Sequence, residues 1–361
     1  YSLTAQAKAF PLQHFVKGMG LGAFTGSLSA SGRSFDVLSG RASLAAKAHI
    51  ASLAYDTLQL GGLHLDATLH HRRVQAAFTA HNPLVTARGK LQATLGTARY
   101  DAALEADVDS IHLQRLGVTQ QPLIVSTHVQ LQGHTDARFT DYSVQAALRR
   151  NIFTTPAKSM MAKDLELQVA AAREHIEAHM EAGDLHLQAE AQHDVAQLGT
   201  HLSQVAAEMV RQGEQKAFDQ AALRRMLPSM TLHVEAGHAN PLYNMLRFMG
   251  YSYSSFQMAL STSPHEGVLG DARVGKLNLG TLTLDTLHTH LLQDTTGIRM
   301  EARVQNFKKK NPYPLDMRLN AYMLTRSAGL ELAYYDADGE KGVELGAKAE
   351  LADGALRLSL Y

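Results

Sequence analysis

The chain has 361 residues, with 34 basic against 34 acidic side chains, 6% aromatics, and neither cysteine nor tryptophan. That length suits one large or two ordinary domains with a sizeable apolar core. The balanced charge leaves no electrostatic footprint for nucleic acid, and the lack of cysteine removes disulfides and thiolate metal sites.

No stretch approaches the ~18 uncharged apolar residues that a membrane-spanning helix needs, and no leader-like segment follows Tyr1. The sequence starts at Tyr1 and stops at Leu358-Ser359-Leu360-Tyr361 within an apolar pattern. It is therefore expected to be a piece of a longer protein.

Taken in chain order, the first feature is Gly18-Met19-Gly20-Leu21-Gly22. It resembles a phosphate loop only superficially, because it leads into the strand-like Phe24 and Leu28 rather than opening a helix. Strict alternation then sets in. Leu63, Leu65, Ala67 and Leu69 alternate with His64, Asp66, Thr68 and His70, and Val74, Ala76, Phe78 and Ala80 follow the turn at His71-Arg72-Arg73. Leu91, Ala93 and Leu95 continue the pattern, then Tyr100, Ala102, Leu104, Ala106 and Val108. Residues at i, i+2 and i+4 share one face of a strand, so each run predicts a strand with one apolar and one polar side. Clean alternation of this kind argues for antiparallel strands wetted on one face.

Leu165, Leu167, Val169 and Ala171, then Ile176 to Ala182, and Leu185, Leu187, Ala189 and Ala191 also alternate, although Val169, Ala172, Ile176 and Met180 fit a helical stripe. The recurrence of the same register on both sides decides for strands. After residue 193 the period changes. Leu198, Leu202, Val205, Ala206 and Met209 mark one face of an amphipathic helix, with Asp194 and Gln197 at its start. A short helix from Ala221 to Leu227 follows, capped by Asp219 and stopped by Pro228. A third begins at Asn240-Pro241 and ends before Gly250. The expected organisation is a β arm over 1–193, a helical insertion over 194–249, and a second β arm over 250–361. Leu202, Val205 and Met209, with Leu242, Met245 and Leu246, are expected to pack on the apolar β face.

The second arm repeats the theme. The run Lys276-Leu277-Asn278-Leu279 is read with Leu279 inward. Ile298, Met300, Ala302 and Val304 alternate, and Leu315, Met317, Leu319 and Ala321 follow the turn Asn311-Pro312-Tyr313-Pro314. Ala328, Leu330, Leu332 and Tyr334, the turn Asp336-Ala337-Asp338-Gly339, and Val343, Leu345, Ala347, Ala349 and Leu351 complete a meander that closes on Leu356, Leu358 and Leu360.

Nothing in the chain assembles a catalytic constellation. There is no Gly-x-Ser-x-Gly elbow and no carboxylate pair set apart from ordinary surface charge. His288 and His290 share a strand face, but spacing supplies no third metal ligand. His64, His112, His128 and His186 sit in the polar phase beside Leu, Ile or Val and read as solvent-facing polar residues. Lys308-Lys309-Lys310 reads as a solvated turn. No enzyme activity, metal or cofactor is expected.

Four strings, in this order, carry a resemblance. They are Asp219 to Pro228, Asn240-Pro241 with Met245-Leu246-Arg247 and Gly250, Leu284-Asp285-Thr286 with Gln293-Asp294-Thr295-Thr296-Gly297, and Tyr334 to Ala347. Together they are similar to the TamB-like (translocation and assembly module) branch of the AsmA-like envelope proteins. The resemblance implies an elongated, curled antiparallel β-sheet forming a groove, in a periplasmic protein anchored in the inner membrane. It implies support of phospholipid transport to the outer membrane and of outer-membrane biogenesis. The partners implied are phospholipid acyl chains and, through regions outside this chain, an outer-membrane assembly barrel. On that reading the groove is lined by Leu63, Leu65, Leu69, Phe78, Leu91, Leu95, Leu104, Val108, Leu185, Leu187, Leu279, Met300, Val304, Leu315, Met317, Leu319, Leu330, Leu332, Val343 and Leu345. The alternation by itself equally allows a closed β-sandwich serving as an adhesin or ligand-binding module.

Overall fold

The computed structural model describes all residues except 12, 13, 15–20, 35, 39, 56, 57, 215–217, 281, 307–314, 337, 353 and 354, and the side chains of 195, 196, 352, 355 and 356. The protein is mainly β. Its 23 strands form one open antiparallel sheet that does not close into a barrel, and the chain divides into two compact units, Tyr1–Gln168 and Val169–Tyr361.

In the first unit the strands are β1 (Ser2–Pro11), β2 (Leu21–Arg33), β3 (Ser43–Tyr55), the short β4 (Leu58–Leu60), β5 (Leu63–His70), β6 (Arg73–His81), β7 (Val85–Leu95), β8 (Arg99–His112), β9 (Ile124–Asp136), β10 (Tyr142–Thr154) and the short β11 (Ser159–Met161). Each long strand pairs with the next, and β3 pairs with both β4 and β5. The turns follow from side-chain chemistry. Asn82 Oδ1 accepts from the backbone N–H of Leu84 and Val85 at 2.9 and 3.0 Å. Asp136 Oδ1 accepts from the N–H of Thr140 and Asp141 at 2.6 and 3.0 Å. Such Asx-type bonds offer the backbone a turn in place of a longer ladder. Bulges between Val108 and Ile111 and between Arg149 and Ile152, where Arg150 has φ +55°, bend the longer strands. The glycine-rich stretch near residue 20 leads into β2, as the sequence suggests, with residues 18–20 outside the described part.

The strand β12 (Leu165–Ala172) runs across the boundary between the units. The second unit continues with β13 (His175–Ala182), β14 (Leu185–Ala191), α1 (Val195–Glu214), α2 (Gln220–Arg225), β15 (Met230–Ala236), α3 (Pro241–Phe248), β16 (Ser255–Ser263), β17 (Gly267–Asn278), β18 (Thr283–Gln293), β19 (Gly297–Asn306), β20 (Leu315–Leu324), β21 (Ser327–Tyr335), β22 (Lys341–Ala352) and β23 (Ala355–Leu360). The stretch from 165 to 191 is thus strands, and the alternation outweighs the helix propensity of its Ala and Glu residues.

The helical region is not one insertion. β15 lies inside it, paired with β14 on one side and β16 on the other. Met230, Leu232, Val234 and Ala236 alternate there, and seven residues of period two between two helices escape a reading of the region by its helical period. The helices attach instead to opposite edges of the sheet. At one edge Phe218 N bonds Thr325 O at 3.1 Å, Arg224 Nε donates to Pro264 O at 3.1 Å, and Gln293 Nε2 donates to Gln220 Oε1 at 3.1 Å. At the other edge Asp184, between β13 and β14, accepts from Ala239 N at 2.9 Å and from Asn240 Nδ2 at 2.7 Å. All three caps read from the sequence form. Asp194 Oδ1 accepts from Gln197 N at 2.7 Å, Asp219 Oδ1 from Ala222 N at 2.9 Å, and Asn240 Oδ1 from Tyr243 N at 2.7 Å. Leu202 and Met209 of α1 and Leu242 of α3 are exposed. That corrects the expectation of a fully packed stripe: a helix fastened along the edge buries little of its apolar face.

Candidate functional site: the apolar face

Register decides what the alternation builds. In the first unit one ladder row runs Leu3, Ala30, Ala46, Ala67, Ala76, Leu91, Leu104, Leu131 and Ala146, through nine strands. The neighbouring row runs Ala5, Leu28, Ala48, Leu65, Phe78, Gly89, Ala106, Val129 and Leu148. Every member of both rows is apolar. With strands about 4.8 Å apart, each row is about 38 Å long in the hydrogen-bonding direction. The glycine has a reason: a Cβ on Gly89 would stand 2.6 Å from Cζ of Phe78, so its absence lets the ring lie flat across the neighbouring strand.

The second unit repeats the device. Ala178, Ala189, Leu232, Leu260, Gly270, Leu291, Met300, Ala321, Leu330, Ala347 and Leu360 make one row across eleven strands. Met180, Leu187, Val234, Met258, Ala272, Thr289, Ala302, Leu319, Leu332 and Leu345 make the next, with Thr289 its single polar member. Ala182, Leu185, Ala236, Phe256, Val274, Leu287, Val304, Met317, Tyr334 and Val343 make a third.

These rows or their flanks take in Leu63, Leu65, Leu69, Phe78, Leu91, Leu95, Leu104, Val108, Leu185, Leu187, Met300, Val304, Leu315, Met317, Leu319, Leu330, Leu332, Val343 and Leu345. Leu279 is the exception. It lies past the end of β17 in the tight turn to β18, with its N–H bonded to Leu282 O at 2.8 Å. The Leu277–Leu279 alternation is one residue out of phase with Val268, Gly270, Ala272 and Val274, so it does not extend their face.

The face is only partly covered. Leu69 is 6% exposed, but Leu65, four residues away on the same face, is 42% exposed, and Leu345 is 61% exposed. Total accessible surface is 22279 Å² for 39.3 kDa. A compact globule of that mass exposes about 14,000 Å², and two separate compact halves about 17,000 Å². Among the described residues the substantial strand contacts are those between ladder neighbours. The hollows on the described surface belong largely to the opposite face. One of about 410 Å³ is lined by Arg73, Gln75, Gln92, Thr94, Asp101 and Gln132 among others.

That opposite face is a lattice of ion pairs. His128 bonds Asp107 at 2.9 Å and lies 3.5 Å from Glu105, and Arg88 and Arg150 approach the same Asp107 at 3.5 and 3.1 Å. The His128 hydrogen bond, with those charges and against partial desolvation, holds the Asp107 carboxyl below its ordinary range. Its side chain is 13% exposed, so His128 is a partnered residue and not the solvent-facing one its phase suggests. His288 and His290 both turn to Asp271, at 2.6 and 3.8 Å, and Arg303 grips Asp316 through two bonds of 3.0 and 2.6 Å. Exposed pairs of this kind add little stability singly, but they keep that face wet. Among the described residues no group of three or more His, Cys, Asp or Glu side chains is arranged to hold a metal ion. No helix of the described residues is long and apolar enough to cross a membrane. The run Lys308-Lys309-Lys310 and the Pro-rich turn after it lie outside the described residues.

No family model matches the sequence, and no curated protein or solved structure matches it either.

Proposed function

We propose that this chain is a non-enzymatic segment of a cell-envelope protein whose apolar β face carries phospholipid acyl chains. The observation that carries the reading is the set of in-register apolar rows that run across many strands, broken only at Thr289, and remain partly open to water. A chain of ~16 carbons exposed to water costs on the order of 12 kcal/mol at about 0.8 kcal/mol per methylene. A continuous apolar row offsets that cost at every step along it, without a specific pocket. The linings suit this task, since Ala and Leu predominate, with Val and Met next, and leave room beside them. An open edge lets a headgroup stay in water while its chains lie on the sheet.

The TamB-like resemblance points the same way, toward phospholipid movement between inner and outer membranes and outer-membrane biogenesis in the periplasm. Mass spectrometry of the gently purified protein tests the reading. Phospholipid is expected to accompany the wild type and to be depleted by Leu104→Asp, which places a carboxylate in the middle of a row. Protein that folds normally and carries no phospholipid overturns it.

A further inference from the structure

We infer that one edge of the first unit docks on the surface of an anionic phospholipid bilayer. The turns at that edge are those between β2 and β3, β5 and β6, β7 and β8, and β9 and β10. The first two touch directly: Arg72 Nε donates to Leu38 O at 2.6 Å, and His71 Nδ1 lies 3.0 Å from Gly40 O. The last is tied to the same edge through Ala137 N to Ala98 O at 3.0 Å and the contact of the Phe139 and Tyr100 rings at 5.6 Å.

Two features meet there. The first is cationic charge. Residues 33–41 and 70–73 hold Arg33, Arg41, Arg72 and Arg73, with His70 and His71, against the single acid Asp36. No carboxylate lies in ion-pair range of these arginines among the described residues. Farther along the edge Asp101 pairs with Arg99 and Asp136 caps its own turn, and the exposed Asp141 balances Arg138 within the β9–β10 turn. The opposite edge of the unit is less basic, since its turns at 82–84, 113–123 and 155–158 contribute only Arg115 and Lys158 as charges. The second feature is apolar side chains held out at the turn tips. Val37 and Leu38 are exposed, and Phe139 is 68% exposed beside Arg138.

Backbone conformation adds weight. His71 and Arg72 form a two-residue hairpin turn with φ +46° and +64°, and Phe139 has φ +55°. Asn-Gly fits such a turn without strain. Here large charged and aromatic residues occupy left-handed conformations instead, which accords with selection for what they present to a partner. Arginines interleaved with protruding apolar tips match an anionic bilayer surface, where phosphates meet the guanidinium groups and the tips enter the headgroup layer. Contact of this edge with a membrane stands on the edge alone. Passage of lipid from there onto the apolar rows rests on the function proposed above.

Flotation with phosphatidylcholine vesicles, with and without phosphatidylglycerol, tests the inference on the whole chain. Binding is expected only with phosphatidylglycerol and is expected to vanish near 1 M salt, where the screening length is about 3 Å. Arg41→Gln/Arg72→Gln/Arg73→Gln should weaken binding on the order of 10²-fold, at about five-fold per arginine. Phe139→Ser should weaken it while leaving the salt dependence unchanged. Arg115→Gln, on the opposite edge, should bind as the wild type does, and all variants should keep the wild-type thermal midpoint within a few degrees. Leu104→Asp should still float, which separates this edge from the acyl-chain face. Wild type that ignores anionic vesicles, a triple variant that binds them normally, or full displacement by millimolar inorganic phosphate would each overturn the inference.

Discussion

Leu65 and Leu69 sit on one strand and one face, yet they differ in how the surrounding sheet covers them. Leu69 is 6% exposed and Leu65 is 42% exposed. Replacing Leu65 by Asp forfeits burial of roughly 80 Å² of apolar surface, or about 2 kcal/mol at 25 cal/mol/Å². The new carboxylate keeps contact with water at that position. At Leu69 the lost burial is roughly 130 Å², about 3 kcal/mol, and the carboxylate has no water and no partner. That adds a penalty of several kcal/mol or forces the group to stay protonated. Thermal unfolding of the two variants is the assay. Leu65→Asp should lower the midpoint by roughly 5 °C while reducing bound lipid, and Leu69→Asp should abolish the cooperative transition. Equal destabilisation by both would refute the reasoning, because it would mean that the face is closed at Leu65 as well.

The remaining predictions concern the turns, the caps and the edge helix. The Asp136 carboxyl is held from 3.8 down to about 2, chiefly by the Asp141 N–H, against some desolvation and with help from Thr140. A depressed folded value means that its contribution is present above the unfolded value near 3.8 and fades as pH falls toward 2. Protection factors at the Thr140 and Asp141 amides, corrected for the intrinsic pH dependence of exchange, should therefore fall over that window and hold steady above it. Asn240 is fully buried and bonds Asp184, Gly237 O and Tyr243 N; Asn240→Ala should cost about 1–3 kcal/mol in chemical denaturation, and a cost near zero would contradict the cap. Met209→Ser on the exposed side of α1 should change stability by no more than about 0.5 kcal/mol, measured the same way.

Most of the β architecture was legible because a period of two is a direct readout of a one-sided strand. Leu63 to Leu69 and Leu91 to Leu95 needed nothing beyond their own spacing. The helix caps at Asp194, Asp219 and Asn240 were equally readable, since each is a local side-chain to backbone bond. What the sequence hid depends on partners remote in the chain. β15 is a strand because β14 and β16 offer it two open ladders, a fact absent from residues 230–236 themselves. Leu279 was misplaced because alternation gives phase only within a run, and the turn to β18 begins before that residue. The burial of His128 between Glu105 and Asp107 depends on a register set by β8 and β9. No spacing rule along the chain contains it.

A photoreactive side chain placed in turn at positions 91 and 92 tests the central claim most directly. Leu91 belongs to the apolar row that runs through Ala76 and Leu104, and Gln92 faces the opposite side of the same strand. Illumination in bacterial cells followed by mass spectrometry should yield phospholipid adducts at position 91 and none at position 92. Adducts at neither position, or equally at both, would contradict an acyl-chain path along the apolar rows.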